Sequence, residues 1–123
     1  MSKRPARFVS KPWGQEEIFA ETARYVGKIL HIKAGEALSL QYHERKEETL
    51  RVLEGTVRFV AGTDTDRLLT YELGPGDVFH VTPRTIHRME AVTDCRLLEV
   101  STPDLDDVVR IEDRYGREGT SAP

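Results

Sequence analysis

Cysteine is nearly absent from this 123-residue chain: Cys95 stands alone, so no intrachain disulfide can form and packing must hold the fold. Long apolar runs are missing as well. None approaches the ~20 residues of a membrane-crossing helix, and Met1-Ser2-Lys3-Arg4-Pro5 is not followed by the apolar stretch of a secretory signal. The expected location is the cytoplasm, with no membrane partner. Nor is there an excess of one charge: 18 basic against 21 acidic residues leave −3, without the basic field that non-specific nucleic-acid binding requires. Helical periodicity is missing too, apart from a possible helical turn at residues 103–108, where Asp104, Asp106 and Asp107 favour a helix N-terminus. No internal repeat or low-complexity tract occurs.

What is present is β-structure. Short runs rich in Val, Ile, Leu, Thr, Tyr and Phe recur between Gly and Pro punctuation, the pattern of an all-β sandwich or barrel. Nine strands are expected, at residues 16–19, 24–32, 37–42, 49–53, 57–61, 67–72, 78–81, 85–91 and 95–101. Turns fall at Ala34-Gly35, Glu54-Gly55, Gly62-Thr63 and Gly74-Pro75-Gly76. The length suits one domain, here residues 11–117, with residues 1–10 and 118–123 expected to be flexible ends.

Within this frame one set of side chains carries chemistry. The two-residue period of the strand ending at His43 places Ser39, Gln41 and His43 on one face and Leu38, Leu40 and Tyr42 on the other. Glu48 opens the next strand on the face of Leu50 and Val52, where a carboxylate needs a partner. His87 lies on the strand after the Gly74-Pro75-Gly76 turn. An amide oxygen, two imidazoles and a carboxylate suit one divalent metal ion, zinc or else manganese, iron, nickel or cobalt. His31 and His80 have no such company and read as ordinary histidines.

The intervals between Gly35, Gln41, His43, Glu48 and Gly55 resemble the first cupin motif, with Gln41 in place of its first histidine. Gly76, Thr82, Arg84, His87 and Ala91 match the second motif in spacing, though only Gly76 and His87 keep the residue type. Lys11-Pro12-Trp13-Gly14, Leu38-Ser39-Leu40-Gln41-Tyr42-His43 and the run from Val109 to Glu112-Asp113-Arg114-Tyr115-Gly116-Arg117 are similar to the cupin domain of type II mannose-6-phosphate isomerases. The resemblance implies a single-domain double-stranded β-helix, with Gln41, His43, Glu48 and His87 as metal ligands. It also implies interconversion of an aldose phosphate and a ketose phosphate through a cis-enediol.

On that reading the partner is a small sugar phosphate. Lys28, which shares a face with Val26, Leu30 and Ile32, would either snorkel to the rim or enter the cavity to polarise a substrate oxygen or serve as a base. Arg114, expected to be catalytic, and Arg117 would clamp phosphate, and Tyr115 between them, like Trp13, is expected to bind substrate. Trp13 would form a lid or pack at an edge, and Arg88 would make a salt bridge. Glu99 and Asp113 are possible bases, and the base stays unassigned. The competing readings are a sugar-binding module without turnover and a non-haem metal oxygenase. A homodimer is expected, because an exposed edge strand needs covering.

Overall fold

A computed structural model describes residues 1–119; residues 120–123 of the expected tail lie outside the described residues. Eleven strands occur among the described residues, and no helix: β1 (Arg7–Lys11), β2 (Gly14–Glu21), β3 (Val26–Ile32), β4 (Leu40–Tyr42), β5 (Glu48–Glu54), β6 (Val57–Gly62), β7 (Leu69–Leu73), β8 (Val78–Val81), β9 (Ile86–Ala91), β10 (Cys95–Ser101) and β11 (Val109–Glu112). They form two antiparallel sheets, one of six strands in the order β1-β2-β3-β10-β5-β8 and one of five in the order β11-β4-β9-β6-β7.

Strict alternation puts one face of each sheet inside. On β10, Cys95, Leu97, Glu99 and Ser101 are buried; on β9, His87, Met89 and Ala91 are buried. Between the sheets Leu30, Ile32, Leu50, Phe59, Met89 and Leu97 form the centre of the core, each contributing about 1.5–3 kcal/mol by leaving water. The apolar filling gives out toward one end. There the inward positions of β3, β5 and β10 become Lys28, Glu48 and Glu99, at most 5% exposed.

The structure departs from the sequence reading at both ends. Residues 7–10, assigned to a flexible segment, belong to β1, which pairs with β2 from Arg7↔Ile18 to Lys11↔Gly14. As an edge strand β1 is paired on one side only and carries little apolar signal. The chain turns back through Pro12-Trp13, and Gly14 adopts φ 150°, where a Cβ would lie 1.9 Å from the His31 carbonyl oxygen. β11 was also unexpected, because its three-residue partner β4 is too short to show a period. Residues 37–42 hold only an isolated bridge at Ala37 and then β4. The expected helical turn at 103–108 is a non-helical loop. Asp104 accepts from Thr102 and pairs with Arg45, and Asp107 accepts from the loop after His43.

Candidate metal centre and its cavity

His43 follows β4, Glu48 begins β5 and His87 lies on β9; all three are buried, at 4%, 3% and 0% exposure. Each offers one ligand atom, and these atoms lie within 4.8 Å of one another. Glu48 Oε1 is 3.3 Å from His87 Nε2 and 3.8 Å from His43 Nε2. Ligand atoms ~2.0–2.1 Å from a tetrahedral zinc would be spaced ~3.3–3.4 Å apart, close to this geometry.

The imidazoles are also oriented for coordination. His43 Nδ1 lies 2.6 Å from the Asp107 carbonyl oxygen and His87 Nδ1 2.8 Å from that of Thr85. A carbonyl accepts only, so Nδ1 carries the proton and the Nε2 lone pair points inward, the arrangement that protein metal sites use to fix a histidine ligand. Both Nε2 atoms are buried without a hydrogen-bond partner, a cost that a cation would remove. The described residues therefore fit a divalent metal ion. Gln41, the fourth expected ligand, is cross-strand to His87 and lines the same cavity. Its amide oxygen accepts from Ser39 Oγ at 3.0 Å and has a second lone pair.

Around the cluster is a row of buried charges, of which the sequence reading names Lys28 and Glu99 but not Lys46 or Glu16. The Lys46 ammonium lies 3.0 Å from Glu48 and 3.2 Å from Glu99. Burial alone would depress the Lys46 pKa, but Glu99 and Glu48 outweigh it and hold the ammonium above its ordinary range. Burial would raise Glu48, yet Lys46 holds its carboxyl well below the ordinary value. Glu99 shifts the other way, pushed up by burial and by Glu48. Its cross-strand partner is Lys28, which pairs with Glu16 at 3.0 Å. Lys28 thus lies in the cavity wall and does not snorkel to the rim.

The other expected residues divide. Trp13 is 2% exposed, belongs to the core and lines the cavity; it is a wall. Arg117 also lines the cavity, held by Asp113 through Nε at 2.9 Å and a terminal nitrogen at 3.1 Å. That pairing engages Asp113 as a structural anion. Arg114 and Tyr115 are corrections, since neither borders the cavity. Arg114 crosses the outer face of β9 to Glu90 and the Gly35 carbonyl, and the Tyr115 hydroxyl donates to Glu36. In an irregular segment the side-chain directions of 114–117 follow no strand period, so proximity in sequence to Arg117 was no guide. Arg88 makes the expected ion pair, with Glu112 at 3.4 Å, and His31 and His80 pair with Glu17 and Glu47.

Asp107 was also missed. Besides its carbonyl contact with His43, its carboxylate accepts the backbone N–H groups of Glu44, Arg45 and Lys46 at 3.0, 2.7 and 3.0 Å. One aspartate thereby shapes the loop between two ligands. Burial opposes its ionisation, but these three N–H groups and Arg45 hold its carboxyl below the ordinary range.

Fold and site together define a two-sheet β-barrel with a candidate metal centre inside one end. The chain belongs to the cupin family: the cupin domain matches residues 28–101. Among curated proteins it is similar to the mannose-1-phosphate guanylyltransferase ManC of Salmonella typhimurium, 34% identical over 90% of this chain and 23% of that protein. Its similarity to RfbM of the same organism is 29% over 88% of this chain and 22% of that protein. The chain thus spans about a quarter of the length of these relatives. Solved structures of the same fold include KdgF from Halomonas sp., at TM-score 0.69 and 21% identity over 84% of this chain and 89% of that one. Another is oxalate decarboxylase OxdC of Bacillus subtilis, at TM-score 0.73 and 18% identity over 85% and 30%.

Proposed function

We propose that this protein is a metal-dependent sugar-phosphate isomerase of the mannose-6-phosphate type, with zinc held by His43, Glu48, His87 and Gln41. The observation that carries the reading is the pair of buried, unpartnered Nε2 atoms beside Glu48, where His43 and Glu48 line one cavity with lysines and arginines. The similarity to mannose-1-phosphate guanylyltransferases supports a mannose-phosphate substrate. A bound divalent ion would supply Lewis-acid stabilisation of charge developing on the substrate oxygens. Lys28 stands ready to hydrogen-bond one of those oxygens. Glu99, buried, lining the cavity and raised in pKa, is the carboxyl suited to move a proton between adjacent carbons. Lys46 fixes the position of both Glu48 and Glu99, while Trp13, Leu30 and Met89 keep water from the wall behind them.

A second reading is a binding module without turnover that uses the same donor set and the same lining cations. The deciding experiment is conversion of mannose 6-phosphate to fructose 6-phosphate by zinc-reconstituted protein, with His43→Ala as control. Turnover that disappears in the variant supports the isomerase. Stoichiometric zinc without turnover rejects it. The proposal extends to a cytoplasmic homodimer, for which the exposed apolar side chains Phe19 and Val100 on the six-stranded sheet and Tyr25 in the β2–β3 turn are support; sedimentation at monomer mass would exclude the dimer.

A further inference from the structure

Lys11 is a loosely paired charge in the cavity wall. Its side chain is 7% exposed, and its one ion-pair partner among the described residues is Glu16, 4.0 Å away and already bound to Lys28 at 3.0 Å. A buried ammonium held so loosely is costly. The cost is compounded by like charges: burial lowers the pKa of Lys11, Glu16 raises it in part, and Lys28, Arg117 and Arg110 lower it further. All four cations line the same cavity as Gln41, His43 and Glu48.

The topology explains the convergence. Lys11 ends β1 beside the turn that buries Trp13, and Arg117 follows β11 on the Asp113 carboxylate. Arg110 is cross-strand to Gln41, and Gln41 is cross-strand to His87. Cross-strand partners share a face, so Arg110, Gln41 and His87 form one inward row two strand spacings long, ~9–10 Å. The candidate metal centre is at one end of that row and the cation group at the other.

From this geometry we infer that Lys11, Arg110 and Arg117 form an anion subsite that receives the phosphate of the ligand, with Lys28 between it and the metal ligands. Guanidinium groups match phosphate oxygens in pairs, and an ammonium adds a point charge. A phosphate here would satisfy Lys11 and relieve the repulsion among the cations. The subsite rests on the proposed sugar-phosphate reading for its ligand, but it binds independently of turnover. Arg114, on the outer face with Glu90, takes no part.

Calorimetric titration of the whole zinc-loaded chain with inorganic phosphate, mannose 6-phosphate and mannose tests this, using Lys11→Met, Glu16→Gln and the outer-face control Arg96→Met. Expected are phosphate-dependent binding in the parent protein and a loss of roughly tenfold or more in Lys11→Met. Glu16→Gln, which removes the competing carboxylate, should bind phosphate more tightly, and Arg96→Met should match the parent. Zinc stoichiometry reports folding. Unchanged phosphate affinity in zinc-replete Lys11→Met overturns the subsite, as does a parent protein that binds mannose 6-phosphate no better than mannose. Should Lys11→Met lose zinc, Glu16→Gln decides: tighter phosphate binding supports the subsite, unchanged or weaker binding overturns it. Lys11-dependent binding without conversion leaves the subsite standing and rejects the isomerase. Conversion that ignores Lys11 does the reverse.

Discussion

Replacing Asp107 by alanine should damage metal affinity without touching a ligand. The substitution keeps the backbone carbonyl that orients His43 and removes the carboxylate that gathers the N–H groups of Glu44, Arg45 and Lys46. Hydrogen bonds to a charged group contribute ~1.5–3 kcal/mol each. Asp107 is only partly buried, so water replaces much of what is lost, and the expected cost is about 2–3 kcal/mol, above that of a typical helix cap. Because the loop connects His43 to Glu48, zinc affinity should fall roughly 10–100-fold, the usual penalty for losing a group that supports a ligand. Asp107→Asn should lie between alanine and the parent. The carboxyl is held below its ordinary value, so its contribution is fully present above the unfolded-state pKa of ~3.9. It fades as pH falls through the lower folded value. Urea melts of metal-free protein at pH 7 and near pH 3 give the stability difference, and competition with a chelating dye gives the affinity. An Asp107→Ala protein that melts like the parent at pH 7 and binds zinc equally well would refute the reasoning.

Zinc at a hundred times its dissociation constant should stabilise the parent by about 2.7 kcal/mol and leave His43→Ala unchanged, read by thermal melts with and without metal. Gly55→Ala should be among the most destabilising single changes outside the core, by about 2–4 kcal/mol. Gly55 has φ 84°, and a Cβ would lie 2.3 Å from the Asp94 carbonyl oxygen; a denaturant midpoint tests it. Burial and Asp94 push the Cys95 thiol up to about 11, so at pH 8 a thiol reagent should modify the folded protein slowly and the urea-unfolded protein at once.

That His43, Glu48 and His87 come together was legible in the sequence: alternation put Gln41 and His43 on one strand face and Glu48 on another, and the resemblance to the cupin motifs joined His87 to them. The fold class was legible for the same reason. Lys11, Glu16 and Arg110 could not be read in this way. Lys11 and Arg110 sit on the edge strands β1 and β11, of five and four residues, Glu16 sits on the longer interior strand β2, and what makes all three matter is which strands lie side by side. Arg114 and Arg117 show the limit most clearly. They are separated by two residues of irregular chain, yet one faces the cavity and the other crosses the outer sheet surface. Only the positions of Asp113 and Glu90 decide between them.

Cross-strand placement also explains why so many charges can be buried in so small a barrel. Glu48, Lys46, Glu99, Lys28, Glu16 and Lys11 alternate in sign along the cavity wall, with contacts of 3.0 and 3.2 Å at Lys46, 3.0 Å at Lys28 and 4.0 Å at Lys11. Removing one member of such a row strands its neighbours, at a cost of ~3–5 kcal/mol for a buried pair. Adding charge at an end acts differently. A cation held at Glu48 would compete with Lys46 for that carboxylate and leave Lys46 its contact with Glu99, while Lys28 would keep Glu16 as its partner. The loosest contact, at Lys11, is at the far end of the row from the histidines. An anion arriving there would give a second partner to the ammonium whose ion-pair contact is the longest in the row, and would do so without disturbing the 3.0 Å contact of Lys28 with Glu16.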